Sequence, residues 1–273
     1  MVSSLVQRGA CFAANGKSRN REEELTGLDN SDRVGAGSFS ALSYNIHECV
    51  GLDGRRNGAR IAGIIRDSDA DVIGLQEVHS ESNGRGEQHQ MNYLAESTGL
   101  QAISGPCLER KNGQFGNVLL TKRKVLKVRR LDLSIPGREP RGAIDADLEM
   151  GGEAVRVIVT HLGLRPSERR LQVKKLLTAL AQHRTRIVVV LSDINEWLPA
   201  SGPLRWLEAR LGKTRRMRTF PSYFPVLALD RIWVSPPSAL VNLSTLNTPL
   251  ARVASDHLPL KATIQTSWPE IAR

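Results

Sequence analysis

The stretch Ile187-Val188-Val189-Val190-Leu191-Ser192-Asp193-Ile194-Asn195 passes from five consecutive apolar residues to a carboxylate and an amide. A short, β-branched run of this kind reads as a strand buried on both faces, because a strand with one wet face alternates polar and apolar residues. Its polar groups then sit where the strand ends. The same pattern recurs outward along the chain. Residues 39–46, Phe39-Ser40-Ala41-Leu42-Ser43-Tyr44-Asn45-Ile46, read as a strand ending at Asn45, and residues 71–77 as one ending at Glu77 after Leu75-Gln76. Residues 155–160 lead into His161, Asp230 sits in Leu229-Asp230-Arg231-Ile232, and Ser255-Asp256-His257 precedes a strand at 258–264.

Between these strands, Arg60-Ile61-Ala62-Gly63-Ile64-Ile65-Arg66 has helical spacing. Pro166-Ser167 opens a second helix, with Val173, Leu176, Leu177 and Leu180 on one face and Arg169, Arg170, Lys174 and Arg184 on the others. Residues 116–121, 125–133 and 143–148 add strands, with turns at Gly113, Pro136, Gly137 and Gly151-Gly152. Many strands broken by few helices predict sheet layers covered by helices, an α/β architecture. Neither GxGxxG nor GxxxxGK[ST] occurs, which removes the two common nucleotide-phosphate loops. Residues 1–37 are polar without a sustained period and are predicted to form a flexible tail ahead of a single domain at 38–268.

The 273 residues carry 38 Lys and Arg against 28 Asp and Glu, a net charge of +10. That surplus points to polyanions: nucleic acid, an anionic lipid surface or phosphorylated small molecules. With 40% hydrophobic and 24% charged residues, extended disorder and a disulfide scaffold are excluded. Cys11, Cys49 and Cys107 are scattered without metal-site spacing, as expected in a reducing compartment. No apolar run is long enough for a membrane span, and the apolar stretch near the N-terminus is too short for a secretory signal, so the expected location is cytoplasmic.

Any one polar residue at a strand end is an ordinary turn former. Six strand ends carrying Asn45, Glu77, His161, Asp193 with Asn195, Asp230, and Asp256 with His257 suit a common task if the sheets gather them at one edge. Glu77 beside Asn45 offers hard oxygens of the kind Mg²⁺ or Mn²⁺ prefers, and Asp256 could join them. His161 and His257 can donate hydrogen bonds to phosphoryl oxygens, and Asp193 could activate water. Arg141 is a candidate phosphate contact and Asn117 a candidate substrate contact.

These landmarks, taken in order, resemble the endonuclease/exonuclease/phosphatase superfamily of metal-dependent phosphoester hydrolases, over roughly residues 39 to 265. The resemblance rests on Ser43-Tyr44-Asn45-Ile46-His47, Leu75-Gln76-Glu77-Val78, Gly116-Asn117, Thr160-His161-Leu162, Ser192-Asp193-Ile194-Asn195, Leu229-Asp230-Arg231-Ile232 and Ser255-Asp256-His257-Leu258-Pro259. It implies a four-layered α/β/β/α sandwich of the DNase I type, two mixed sheets packed face to face with helices outside and the site at one edge. It further implies that Asn45 and Glu77 hold a divalent metal and the adjacent phosphate, and that Asp193 orients or deprotonates the attacking water with Asn195 beside it. His161 would contact the phosphate, Asp230 would support the histidine network, and Asp256 with His257 would stabilise the charged transition state. The family usually has Gly-Asp-Phe-Asn where this chain has Ser192-Asp193-Ile194-Asn195, which keeps both functional side chains. His47 stands where the apurinic endonuclease branch tends to carry an acid, which weakens a base-excision reading.

The expected activity is Mg²⁺- or Mn²⁺-dependent hydrolysis of a phosphate ester, with a nucleic-acid phosphodiester favoured. Two basic clusters, Lys122, Arg123, Lys124, Lys127, Arg129 and Arg130, and Lys213, Arg215, Arg216 and Arg218, are candidate phosphate-binding faces. Aromatics are only 4%, too few for an extended stacking platform, which leaves Trp197, Trp206, Tyr223, Phe224 and Trp233 as local contacts. A lipid head-group or inositol-phosphate hydrolase is the alternative, although no apolar membrane-docking element stands out in the sequence; peripheral membrane contact stays open. A catalytically silent phosphate-binding module is disfavoured because all the functional side chains are retained. No oligomeric state is read from the sequence.

Overall fold

The structure, a computed structural model, describes residues 37–266 apart from 82, 83, 112 and 184, so the predicted tail falls outside the described residues except for Gly37. In chain order the elements are β1 (Ser38–Asn45), α1 (Gly58–Ser68), β2 (Val72–Glu81), α2 (Gln90–Thr98), β3 (Gln101–Arg110), β4 (Gly113–Thr121), β5 (Val125–Asp132), β6 (Gly142–Met150), β7 (Glu153–His161), α3 (Pro166–Gln182), β8 (Ile187–Asp193), α4 (Gly202–Leu211), β9 (Asp230–Ser235), β10 (Leu240–Thr245), α5 (Ala251–Ala254) and β11 (Leu260–Gln265). The sequence reading missed α2, α4, α5, β3 and β10. Helix α2 buries only Gln90 and Leu94, too little for a visible apolar stripe, and β3 contains Gly105-Pro106, which reads as a turn.

Two sheets form, a six-stranded one in the order β10-β11-β1-β2-β4-β3 and a five-stranded one in the order β5-β6-β7-β8-β9. Both are mixed. Each holds a single parallel pair joined through a helix, β1 with β2 across α1 and β7 with β8 across α3; their other neighbours are antiparallel.

Side-chain alternation along each strand sorts residues into two layers of core. In β1, Phe39 and Ala41 face the opposite sheet, while Leu42 and Tyr44 pack with Ile61, Ile64, Ile65 and Leu94 of α1 and α2. In β8, Ile187, Val189 and Leu191 face the first sheet, while Val188 and Val190 pack under Val173, Leu176 and Leu180 of α3 and Leu204, Leu207 and Leu211 of α4. Every residue of β8 is buried, which is why its sequence is an unbroken apolar run. The result is the four-layered α/β/β/α sandwich. The sheets approach closely at Gly74, where an added Cβ would lie 2.8 Å from Leu191 Cβ.

One part of the outer face of the second sheet is polar. Arg156 pairs with Asp145 through Nε and Nη2 at 2.8 and 2.7 Å, and the same guanidinium donates to the carbonyls of Ala179 and His183 at 3.0 and 2.8 Å. A buried cation therefore fastens the C-terminal end of α3 to the sheet, where the last carbonyls lack helical partners. Arg129 closes the network with paired bonds to Asp145 and Asp147.

Ion pairs take four of the six cations out of the first proposed phosphate-binding cluster. Arg129 is consumed by two carboxylates, Lys122 and Arg123 pair with Asp71, and Lys124 pairs with Glu149. The 122–124 loop also follows Thr121, which pairs with Val72 at the start of β2, the end of that strand remote from Glu77.

Burial opposes ionisation of Asp145, but Arg156 and Arg129 outweigh it and hold the carboxyl below its ordinary value. Stabilisation from a depressed carboxyl is complete above its unfolded value of about 3.9 and is lost as pH falls through the folded value. Asp145→Ala is expected to cost about 3–5 kcal/mol at neutral pH, because it strands Arg156 in the interior. Urea denaturation should show that gap between wild type and variant, and show it narrowing as pH drops below about 4.

Candidate active site

The two parallel crossovers bring the strand-end residues to one rim. Register sets Asn45 beside Gln76, His161 beside Asp193, and Asp193 opposite Asp230 at the start of antiparallel β9. Strand β11 runs antiparallel to β1 with Leu260 opposite Ser43, so Ser255, Asp256 and His257 precede it at the same rim. Alternation does the aiming. His161 shares parity with Val155, Val157 and Val159, Asp193 with Val189 and Leu191, and Asp230 with Ile232 and Val234, all of them inter-sheet core residues.

Glu77 departs from this rule. By alternation Gln76 faces inward and Glu77 outward, but Leu75 pairs with Val118 and Val78 with Gly116, so two residues oppose Asn117 alone. At this bulge Glu77 adopts φ 57°, which re-aims its carboxylate toward the rim. Among the described residues, six non-glycine residues have positive φ, and five of them, His47, Glu48, Cys49, Glu77 and Asn195, lie here. The consecutive left-handed residues 47–49 follow Asn45 after one intervening residue. They are held by Cys49 N donating to Ile46 O at 2.7 Å, Val50 N to His47 O at 2.8 Å and Gln90 Nε2 to Glu48 O at 2.5 Å. Conformations this costly persist where surrounding contacts over-determine them, and they concentrate at functional sites.

Asn45 is the centre of the cluster. Its Nδ2 donates to Glu77 Oε1 and to Asp193 Oδ2, both at 3.0 Å, so one amide holds a carboxylate from each sheet, while its Oδ1 accepts from His47 N at 3.0 Å. Asp193 Oδ2 lies 3.6 Å from His161 Nε2 and 3.7 Å from His257 Nε2, and its Oδ1 accepts from Asn195 N at 2.9 Å. Asn195 Nδ2 bonds His161 Nε2 and Leu162 O, both at 2.9 Å. His161 Nδ1 lies 4.0 Å from Glu77 Oε1.

The two imidazoles differ in charge. Burial, with Arg141 alongside, holds His161 below its ordinary value despite Asp193 and Glu77, so the ring is neutral. Burial also opposes charge on His257, but Asp230, bonded to Nδ1 at 2.8 Å, and then Asp193 outweigh it and raise its pKa to about 10. Burial raises Asp193 as well, yet His257, His161, Asn45 and the Asn195 amide together bring it below the usual carboxylate range. Asp230 is raised, first by burial and also by Asp193.

A divalent cation fits Glu77 and Asn45 better than it fits the buried trio of Asp193, Asp230 and His257. The trio's ligand atoms converge within 4.8 Å, but a protonated His257 facing both carboxylates has no lone pair to give. Glu77 is partly open to solvent, and its Oε2 makes no hydrogen bond among the described residues. It is a hard oxygen donor suited to Mg²⁺ or Mn²⁺, and Asn45 can add its amide oxygen by releasing His47 N.

The other predicted residues divide. Arg141, side chain 8% exposed, puts Nη1 3.5 Å from His161 Nδ1 and lines a cavity of about 230 Å³ with Arg138 and Arg165. Asn117 is buried and donates to Gly142 O at 3.0 Å, bracing one sheet against the other. Asp256 is half-buried; its described contacts run to Ser255 Oγ and to His47 at 4.0 Å, and it acts on His257 through its field. Thr219, which donates to Asp230, and Phe220, whose ring centroid lies 4.9 Å from that of His257, were missed. Nothing in their local sequence marks them, because they arrive on a loop with no period. Arg169, expected on an exposed face of α3, is buried: it pairs with Glu196 at 3.1 Å and donates to Leu164 O at 2.6 Å. Trp233 is core.

Residues 42–257 match the family described as the Endonuclease/Exonuclease/phosphatase family. The chain is 31% identical over 253 residues to the uncharacterised protein YbhP of Escherichia coli K12, covering 83% of this chain and 96% of that one. It is similar in structure to an endonuclease/exonuclease/phosphatase from Beutenbergia cavernae, with TM-score 0.68 and 21% identity over 86% of this chain and 73% of that one. The human Nocturnin catalytic domain gives TM-score 0.64 and 21% identity over 85% of this chain and 94% of that one.

A histidine NMR titration should find His257 protonated until pH approaches about 10, and Asp230→Asn should lower that value, because the carboxylate that opposes burial most strongly is then gone. The sign follows from a raised folded value. The stability that Asp230 confers through this pair is full below about 6.5 and is lost as pH rises through about 10.

Proposed function

Because the chain belongs to the endonuclease/exonuclease/phosphatase family, whose membership supports phosphoester hydrolysis in general, we propose that it is a divalent-metal-dependent phosphodiesterase that drives water in line onto phosphorus. The observation that carries this reading is the pair of imidazoles flanking Asp193, with His161 Nε2 and His257 Nε2 at 3.6 and 3.7 Å from its Oδ2, and Glu77 bonded to the same Asn45 amide as Asp193. Glu77 and Asn45, with Asp256 as a third candidate, would hold Mg²⁺ or Mn²⁺, which when bound neutralises charge on phosphoryl oxygens.

Asp193, kept ionised, orients the attacking water and takes its proton as the bond to phosphorus forms, while the ester P–O bond opposite breaks and the departing oxygen takes a proton from solvent. His257 carries a proton at neutral pH and is fixed by Asp230, so it can stabilise negative charge building on the phosphoryl oxygens. His161, held in place by Asn195, faces the same oxygens, and Arg141 beside it adds a permanent positive charge. Asn117 braces the two sheets through Nδ2 and stays a candidate substrate contact through its amide oxygen. The scattered cysteines fit a cytoplasmic location.

Nucleic acid is the substrate class that the net charge of +10 favours. A lipid head-group ester is the second reading, favoured by the apolar side chains exposed on the rim loops.

Hydrolysis of a panel of DNA, RNA, phospholipid and inositol phosphate should occur with Mg²⁺ and cease with EDTA. Glu77→Ala should remove metal-dependent turnover, and Asp193→Ala should lower it by about 10²- to 10⁴-fold, with circular dichroism unchanged. Wild-type rates in both folded variants would overturn the assignment.

A further inference from the structure

The loops leaving β7 and β8 and entering β9 carry large apolar side chains that the fold leaves uncovered. Leu164 is 66% exposed, Trp197 56%, Leu198 55%, Tyr223 63%, Phe224 68% and Val226 48%. A lone exposed leucine means nothing, but these six belong to three neighbouring loops on the rim of the candidate site. The loops are tied together: Asn195 Nδ2 donates to Leu162 O at 2.9 Å, Ile194 N to Leu229 O at 3.0 Å, and Arg169 joins Leu164 O to Glu196. Clustered apolar groups held out in water mark an interaction surface.

The 220–227 loop is built to project. Its base is closed by Leu227 N donating to Phe220 O at 2.8 Å and Phe220 N to Leu227 O at 3.1 Å. Ser222 anchors it to the carbonyls of Arg252 and Ser255, which leaves Tyr223 and Phe224 at the tip. Phe220, at the base, packs on His257, which places the loop beside the candidate site.

Charge identifies the occupant. Residues 212–229 contain four cations, Lys213, Arg215, Arg216 and Arg218, and no Asp or Glu. All four are exposed, and among the described residues none is in an ion pair, in contrast to Lys122, Arg123, Lys124 and Arg129. Arg216 Nη2 donates to Pro199 O at 2.7 Å, which joins this run to the loop bearing Trp197 and Leu198.

We infer that this face docks the protein onto an anionic lipid bilayer, Tyr223, Phe224, Trp197 and Leu198 entering the headgroup boundary while the 213–218 cations meet lipid phosphates. Aromatic and aliphatic groups beside unpaired cations are the composition of interfacial binding. A nucleic-acid platform would instead present ring faces to successive bases, and half of these six side chains have no ring. The candidate site then opens toward the headgroups, which favours the second substrate reading, a lipid head-group ester, over nucleic acid. That consequence rests on the hydrolase reading above; the docking does not.

The test is vesicle flotation of the full chain with phosphatidylglycerol-containing and pure phosphatidylcholine vesicles. Wild type is expected to float with the anionic vesicles only. Tyr223→Ser with Phe224→Ser should weaken binding about tenfold or more, and Lys213→Ser with Arg215→Ser and Arg218→Ser should weaken it and flatten its salt dependence. Turnover of the soluble diester bis(p-nitrophenyl) phosphate should match wild type in both variants. No binding to anionic vesicles, or binding that both variants retain, overturns the proposal. So does binding of a single-stranded oligonucleotide that the aromatic variant loses while vesicles are ignored. Vesicle binding without turnover supports docking and sinks the hydrolase reading; turnover without vesicle binding does the reverse.

Discussion

Two parallel crossovers, one in each sheet, set the direction of everything at the rim. A parallel pair ends both strands at the same edge, and a helix of the length of α1 or α3 is what returns the chain to start the second strand. Because the sheets pack face to face over a dry core, inward parity is fixed along each strand by Val and Ile side chains that cannot turn to water. The last inward position before the chain leaves the sheet is where that core meets solvent. Asn45, His161 and Asp193 occupy such positions, and Asp230 occupies the matching one at the start of an antiparallel neighbour.

Gathering carboxylates this closely would be repulsive without compensation. Asn45 supplies part of it by donating to Glu77 and Asp193 at once, across the gap between sheets. His257 supplies more, since a charged imidazole between Asp193 and Asp230 lets two buried carboxylates coexist with one positive charge. The backbone carries the remaining cost. Residues 47–49, Glu77 and Asn195 take left-handed conformations without glycine, each stabilised by hydrogen bonds or sheet pairing around it.

The positive charge of the chain is divided between two uses. Arg156, Arg129 and Arg169 are structural, each neutralised by carboxylates, and Arg156 and Arg169 also bond carbonyls, of a helix end and of a rim loop. The cations at 213–218 have no carboxylate partner among the described residues and stay exposed to water. Position in the fold, not composition, separates the two.

Much of the candidate site is legible in the sequence. The unbroken apolar run before Ser192 determines a doubly covered strand, and counting by twos from Leu191 to Asp193, or from Val159 to His161, aims each polar side chain inward. Glu77 escapes such counting, because the bulge that turns it depends on β4 offering one residue against two. The opposite protonation of His161 and His257 is likewise invisible, since it follows from which carboxylate each ring touches. The fates of Lys122, Arg123, Lys124 and Arg129, of Arg169, and of the exposed Tyr223 and Phe224 also had to await folding. The sequence by itself determined the strand ends, their chemistry and the layered architecture, because these depend on local periodicity. Tertiary structure decided which cations are spent, which rings are charged and which apolar groups stay outside, because burial and pairing belong to residues far apart in the chain.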